Sequence, residues 1–134
     1  MAPDVLLRKL NYLRQLLNDL TPYKDATIEE VEAEHYKLER LLELLVMAAS
    51  DILHHLLAER GKTAVSYKDA FQLAAQERLL PQDLSERLQD AAGMRNILVH
   101  MYEKIDYEIL HQSIPGALDD FAQFVAIFAE YQSS

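Results

Sequence analysis

Apolar residues recur along this chain at intervals of three and four, the spacing of helices that bury one face. Leu6, Leu10, Leu13, Leu17 and Leu20 form the first such stripe, and Pro3 stands where a first helical turn accepts proline. The pattern predicts a helix over 3–20, ended by Thr21-Pro22. A second helix opens at Thr27, whose spacing to Glu30 makes a capping box, and runs to about Arg60 before Gly61. Val31, His35, Leu38, Leu42, Leu45, Ala49, Ile52 and Leu56 give it a heptad-like seam. At about 1.5 Å per residue it would span roughly 50 Å, longer than a small domain is wide. Either a kink or packing against a second subunit would absorb the excess.

Ser66 to Asp69 forms another capping box and opens a third helix to about Leu80, where Pro81 breaks the pattern. A fourth helix is predicted from about Gln82 to about Tyr102. Asp106 can cap the last helical region, and Pro115-Gly116 predict an interruption there: a short helix, then another from about Ile114 to Tyr131. The tail Gln132-Ser133-Ser134 is expected to fray. Strand-like alternation is nearly absent. The expected fold class is all-α, an antiparallel bundle of about five helices, with residues 1–134 as a single domain.

Composition narrows the function classes. The chain has no cysteine, which excludes disulfides and thiolate metal sites and fits a reducing cytosol. Met1-Ala2-Pro3-Asp4 shows no basic segment leading into an apolar run, so no signal peptide is expected. No stretch of about 18 uncharged apolar residues occurs, so no membrane span is expected either. A net charge of −9 argues against broad, non-specific binding to nucleic acid, DNA included. It favours a basic protein partner or a locally focused site.

One run carries concentrated chemistry: Arg95-Asn96-Ile97-Leu98-Val99-His100-Met101-Tyr102. Arg binds phosphate through a two-pronged fork, and His is the side chain most easily poised as an acid or base near neutral pH. On a helix at about 100° per residue, Arg95 and Tyr102 continue the apolar stripe of Leu84, Leu88 and Ala91. A charge in a burial stripe requires a partner or a purpose. Gly93, inside this helix, costs about 1 kcal/mol relative to alanine and suits a close approach by another backbone or a ligand. Arg95 and His100 diverge by about 140° on one helix, so a single copy would clasp a phosphate poorly. Two copies across a two-fold axis would bring Arg95 of one to His100 of the other, and a homodimer with a shared cleft is expected.

Asp51 is a further candidate, a carboxylate among apolar residues that could pair with Arg95, orient His100, or simply form an exposed pair with His55. No metal site is expected at His54-His55, since adjacent residues point about 100° apart and no other ligands complete a set. Lys37, Arg40, Arg60, Lys62 and Lys68 could line an RNA path or be solvated helix surface.

Arg95-Asn96-x3-His100-x-Tyr102 resembles the signature of HEPN domains, a helical ribonuclease family, and within it the HepT toxins of HepT–MntA toxin–antitoxin pairs. Three flanking segments are similar to that branch: Ala49-Ser50-Asp51-Ile52-Leu53-His54-His55, Ser66-Tyr67-Lys68-Asp69-Ala70-Phe71, and Leu80-Pro81 with Leu84 and Leu88. The resemblance covers roughly residues 28 to 130. It implies a four-helix core and a homodimer that cleaves RNA, tRNA or mRNA, without metal or other cofactor. His100 would transfer protons, Arg95 would hold the phosphate, and Asn96 would orient a neighbour or the phosphate. Tyr102 would shape the site and accept AMP from a cognate MntA-like nucleotidyltransferase, in the cytoplasm of a prokaryotic cell. Two alternatives stay open. The chain could be a catalytically inactive helical partner of such a nucleotidyltransferase, which its acidity favours, or a purely structural dimer.

Overall fold

The computed structural model describes residues 1–100 and 106–131, without the side chains of 98–100. Six α-helices and one short 3-10 turn make up the described residues, with no strand among them. Helix α1 spans Pro3–Leu20, with Pro3 and Asp4 in its first turn as suits a helix N-terminus. It buries Leu6, Leu10, Leu13, Leu16 and Leu20, so Leu16 takes the inward place expected of Leu17.

The long second helix is in fact two, α2 (Ile28–Ala33) and α3 (His35–Glu59), broken at Glu34 with φ −110° and ψ 21°. Of the two outcomes that could absorb the excess length, the chain takes the bend. A straight continuation would carry residues 28–33 off the end of the bundle. The break keeps Val31 fully buried, while the His111 ring meets the Ala26 carbonyl at 2.8 Å and ties this corner to the last helix. Thr27 and Glu30 form the expected reciprocal capping box.

Helix α3 is the bundle's centre. Every seam residue from Leu38 to Leu56 is buried, and so are Leu41, Val46, Leu53 and Leu57, because helices pack around it on several sides. That position accounts for an apolar stretch otherwise long enough to match a membrane span by composition. Gly61, at φ 73°, ends it as expected.

Helix α4 (Tyr67–Gln76) starts at the Ser66 cap, whose side chain accepts the Asp69 amide, but stops four residues before Leu80. There Arg78 adopts φ 60°, and the amides of Leu79 and Leu80 both reach the Ala74 carbonyl, at 2.8 and 3.3 Å. This turn buries both leucines. An arginine in the left-handed region costs about 1 kcal/mol, which burying two leucines outweighs.

Helix α5 (Gln82–His100) carries the Arg95 run, and α6 (Tyr107–Ala129) follows from an Asp106 cap that accepts two amides. The expected interruption at Pro115-Gly116 does not occur. Both residues lie on the exposed side of α6, while Leu110, Ile114, Ala117, Phe121, Phe124 and Phe128 form an unbroken buried stripe. Continuous packing thus outweighs one lost backbone hydrogen bond. Pro115→Ala is therefore expected to restore that bond and stabilise the protein by about 2 kcal/mol, read as a higher urea midpoint with an unchanged slope.

Candidate active site

Helix α5 is fixed at both of its flanks before it reaches Arg95. Leu84, Leu88 and Ala92 are buried, with Ala92 in the inward place expected of Ala91, which is only partly covered. The Ser85 hydroxyl donates to the Phe71 carbonyl at 2.7 Å and locks α5 to α4. Arg87 donates to Asp120 at 2.8 Å and reaches Asp83 and Gln123, which locks α5 to α6. The hydrogen bond from Arg87 holds the Asp83 carboxyl below the usual carboxylate range.

Arg95 continues the buried stripe, as its wheel position predicts. Its side chain is only 19 % exposed, and it packs inward against α3 and α4. One terminal nitrogen stands 3.5 Å from Glu43, and the guanidinium lies over the Tyr67 ring at 5.0 Å. Its other terminal nitrogen donates to the side chain of Asn96 at 3.2 Å. The inner Nε is buried and has no hydrogen-bond partner among the described residues. A donor in that state is poised for a further acceptor. Asn96 and Ile97, on the outer side of α5, are exposed.

Arg95 and Asn96 are therefore together. His100 is the last described residue of α5, and its side chain and the whole of Tyr102 lie outside the described residues. Asp51 is elsewhere: it pairs with Lys9 and, at 3.7 Å, with His55. The carboxylate beside Arg95 is Glu43, two turns earlier on α3, which also pairs with Arg40 at 3.2 Å. Sequence reasoning misses Glu43 and Tyr67. The available signal is the lone charge inside Leu41-Leu42-Glu43-Leu44-Leu45, which needs a partner as much as Arg95 does. Gly93 does not mark a close approach within the chain, since a Cβ there would meet nothing within 4 Å among the described residues.

The model of ribonuclease HepT-like proteins matches residues 6–127. The chain belongs to the ribonuclease HepT-like family. The resemblance carried by the Arg95 run and its flanks is borne out, and membership places the chain among endoribonucleases. It is 30% identical over 122 residues to the mRNA nuclease HepT of Shewanella oneidensis, covering 90% of this chain and 87% of that one. To the tRNA nuclease HepT of Aphanizomenon flos-aquae it is 26% identical over 136 residues, covering 98% and 92%. The fold is similar to that of the tri-AMPylated Shewanella oneidensis HEPN toxin solved in complex with its MNT antitoxin. That likeness has a TM-score of 0.86 at 23% identity and covers 97% of this chain and all of the other. A toxin–antitoxin structure solved with AMP-PNP gives 0.84 at 23% identity, covering 96% of this chain and 99% of that one.

Glu43 and Tyr67 are the groups that hold the Arg95 guanidinium in place. Glu43→Ala is expected to slow RNA cleavage about tenfold by loosening the guanidinium. Steady-state cleavage of RNA beside a far-UV circular dichroism spectrum checks this, the helical signal staying at wild-type level.

Proposed function

We propose that this protein is a metal-independent ribonuclease toxin whose active site is shared by two copies of the chain, and that a cognate nucleotidyltransferase silences it by adenylylating Tyr102. The observation that carries the reading is Arg95: a guanidinium set into a burial stripe, held by Glu43 and Tyr67, with its Nε unsatisfied among the described residues. Nothing in packing alone rewards a charge there, whereas a phosphate oxygen would satisfy it. The exposed Asn96-Ile97 face offers a second copy a place to dock. The relatives named as tRNA and mRNA nucleases support RNA as substrate. The neighbouring toxin–antitoxin complex, with its AMPylated toxin, supports the partner and the modification. A protein acting on RNA beside such a partner works in the prokaryotic cytoplasm.

In this reading the ribose 2′-hydroxyl attacks the adjacent phosphorus. His100 takes its proton as the O2′–P bond forms. The P–O5′ bond breaks with its electron pair on O5′, and His100 returns the proton there, leaving a cyclic phosphate and a free 5′-hydroxyl. Arg95 offsets the charge that builds on the phosphoryl oxygens. AMP on Tyr102 adds bulk and negative charge where the RNA phosphate must sit. Net acidity favours the second reading, an inactive helical partner of the nucleotidyltransferase. The deciding experiment compares unmodified protein with protein incubated with its nucleotidyltransferase and ATP. RNA cleavage before, its loss after, and a mass gain in AMP steps mapped to Tyr102 are expected. Tyr102→Phe keeps cleavage and gains no mass. Unmodified wild-type protein that cuts no RNA would leave the second reading standing.

A further inference from the structure

Beside Tyr67, on whose ring the Arg95 guanidinium lies, an open groove runs between α1, α3 and α4. Tyr67, whose ring underlies Arg95, lines its near part together with Met47, Asp51 and Tyr12. The far part shares Tyr12, Ala48 and Asp51 with the near part and adds Arg8 and Lys9. The floor is the half-buried α3 face of Leu44, Met47 and Ala48, which lies between Glu43, the acid holding Arg95, and the exposed Asp51, the acid holding Lys9. Eight residues separate those two acids, about 12 Å along the helix, so the two cations stand a short stretch of chain apart rather than around one phosphate.

Charge and shape both select the occupant. The chain as a whole carries 22 acidic residues against 13 basic ones. Among the described residues the groove's lining reverses this, with Arg8 and Lys9 against one carboxylate, Asp51, which Lys9 and His55 already engage. Tyr12 is 47 % exposed above an apolar floor, and Tyr67 faces the same groove. Aromatic platforms between cations are what an unpaired nucleic-acid strand requires, since every base offers a face to stack and every link a negative charge. A duplex would need a broader basic surface than this acidic chain has.

We propose that this groove is the track for a single-stranded RNA segment leading away from the phosphate held by Arg95. Tyr67 and Tyr12 are its stacking platforms, and Arg8 and Lys9 its phosphate contacts. This rests on the ribonuclease reading, and it adds the residues that grip the substrate strand away from the chemistry.

The test measures binding of a fluorescein-labelled single-stranded RNA to the full-length His100→Ala protein, which cannot consume the probe. Adding Tyr12→Ala is expected to weaken binding about tenfold. Arg8→Gln with Lys9→Gln is expected to weaken it and to make the salt dependence of log K shallower by about 1.4, the value for two lost contacts on a single strand. Asp51→Asn frees Lys9 and is expected to tighten binding. A merely structural Lys9–Asp51 pair would instead make the Lys9 and Asp51 changes weaken binding alike, which overturns the proposal. So does unchanged affinity and salt slope in the folded Arg8/Lys9 variant, failure of the parent to bind, or loss of nucleotidyltransferase binding with RNA binding intact. Cleavage of a dinucleoside monophosphate by protein with native His100 separates the two claims. Cleavage of that short substrate by the otherwise unchanged protein keeps the nuclease reading whatever becomes of the track. RNA binding that depends on these residues, in a protein that cuts no substrate, removes the nuclease reading and leaves the groove as a binding surface only.

Discussion

Replacing Arg95 by alanine is expected to slow RNA cleavage about a thousandfold while the bundle stays folded. The size follows from the role proposed for it: a preorganised guanidinium next to the phosphoryl oxygens would gain strength as charge develops, in a site only partly open to water. Stability should fall by only about 1 kcal/mol, the scale of one partly exposed ion pair and one cation–π contact. Glu43 is not left bare, because Arg40 remains 3.2 Å from it. Arg95→Lys should restore little, since an ammonium keeps the charge but loses the two-pronged fork and the stacking on Tyr67. The measurement is single-turnover cleavage by protein made without the nucleotidyltransferase, beside a thermal melt. Cleavage by Arg95→Ala at close to the wild-type rate would remove the guanidinium from the mechanism.

The importance of this position is legible in the sequence, because a helical wheel puts Arg95 in line with Leu84 and Leu88. The group that holds it is not. Glu43 lies 52 positions earlier, on a helix whose rotation is set by packing against several others, and no local pattern encodes such a pairing. The same division runs through the fold. Thr27, Ser66 and Asp106 cap helices through bonds to amides two or three residues on, so the sequence alone reveals them. The break at Glu34, the arginine turn at Arg78 and the unbroken helix through Pro115 answer to distant burial: of Val31, of Leu79 and Leu80, and of the Ile114–Phe121 stripe. Local signals misplace such points because tertiary packing outweighs one backbone bond or one strained residue. Asp51 illustrates the limit for sites. Its apolar setting marks it as needing a partner, yet the choice between Arg95 and a residue of α1 depends on how α1 crosses α3.

The divergence of Arg95 and His100 has a quantitative consequence when two defective chains are mixed. Arg95 faces inward against Glu43 and Tyr67, whereas a helix places residue 100 about 140° away from it. If each active site takes Arg95 from one copy and His100 from the other, an Arg95→Ala chain paired with a His100→Ala chain forms one dead site and one intact site. Random pairing makes half of the dimers mixed, so about a quarter of wild-type activity is expected from an equal mixture of two variants that are each inactive alone. A site contained within one chain predicts no recovery, since no chain in the mixture then holds both groups. Unfolding and refolding the two variants together, against each refolded separately, distinguishes these outcomes. Light scattering on the same samples verifies that subunits have paired. Recovery near a quarter would also bear on regulation: AMP on Tyr102 of one chain would then act beside an arginine or a histidine supplied by its partner, and one modified copy could impair both sites of a pair.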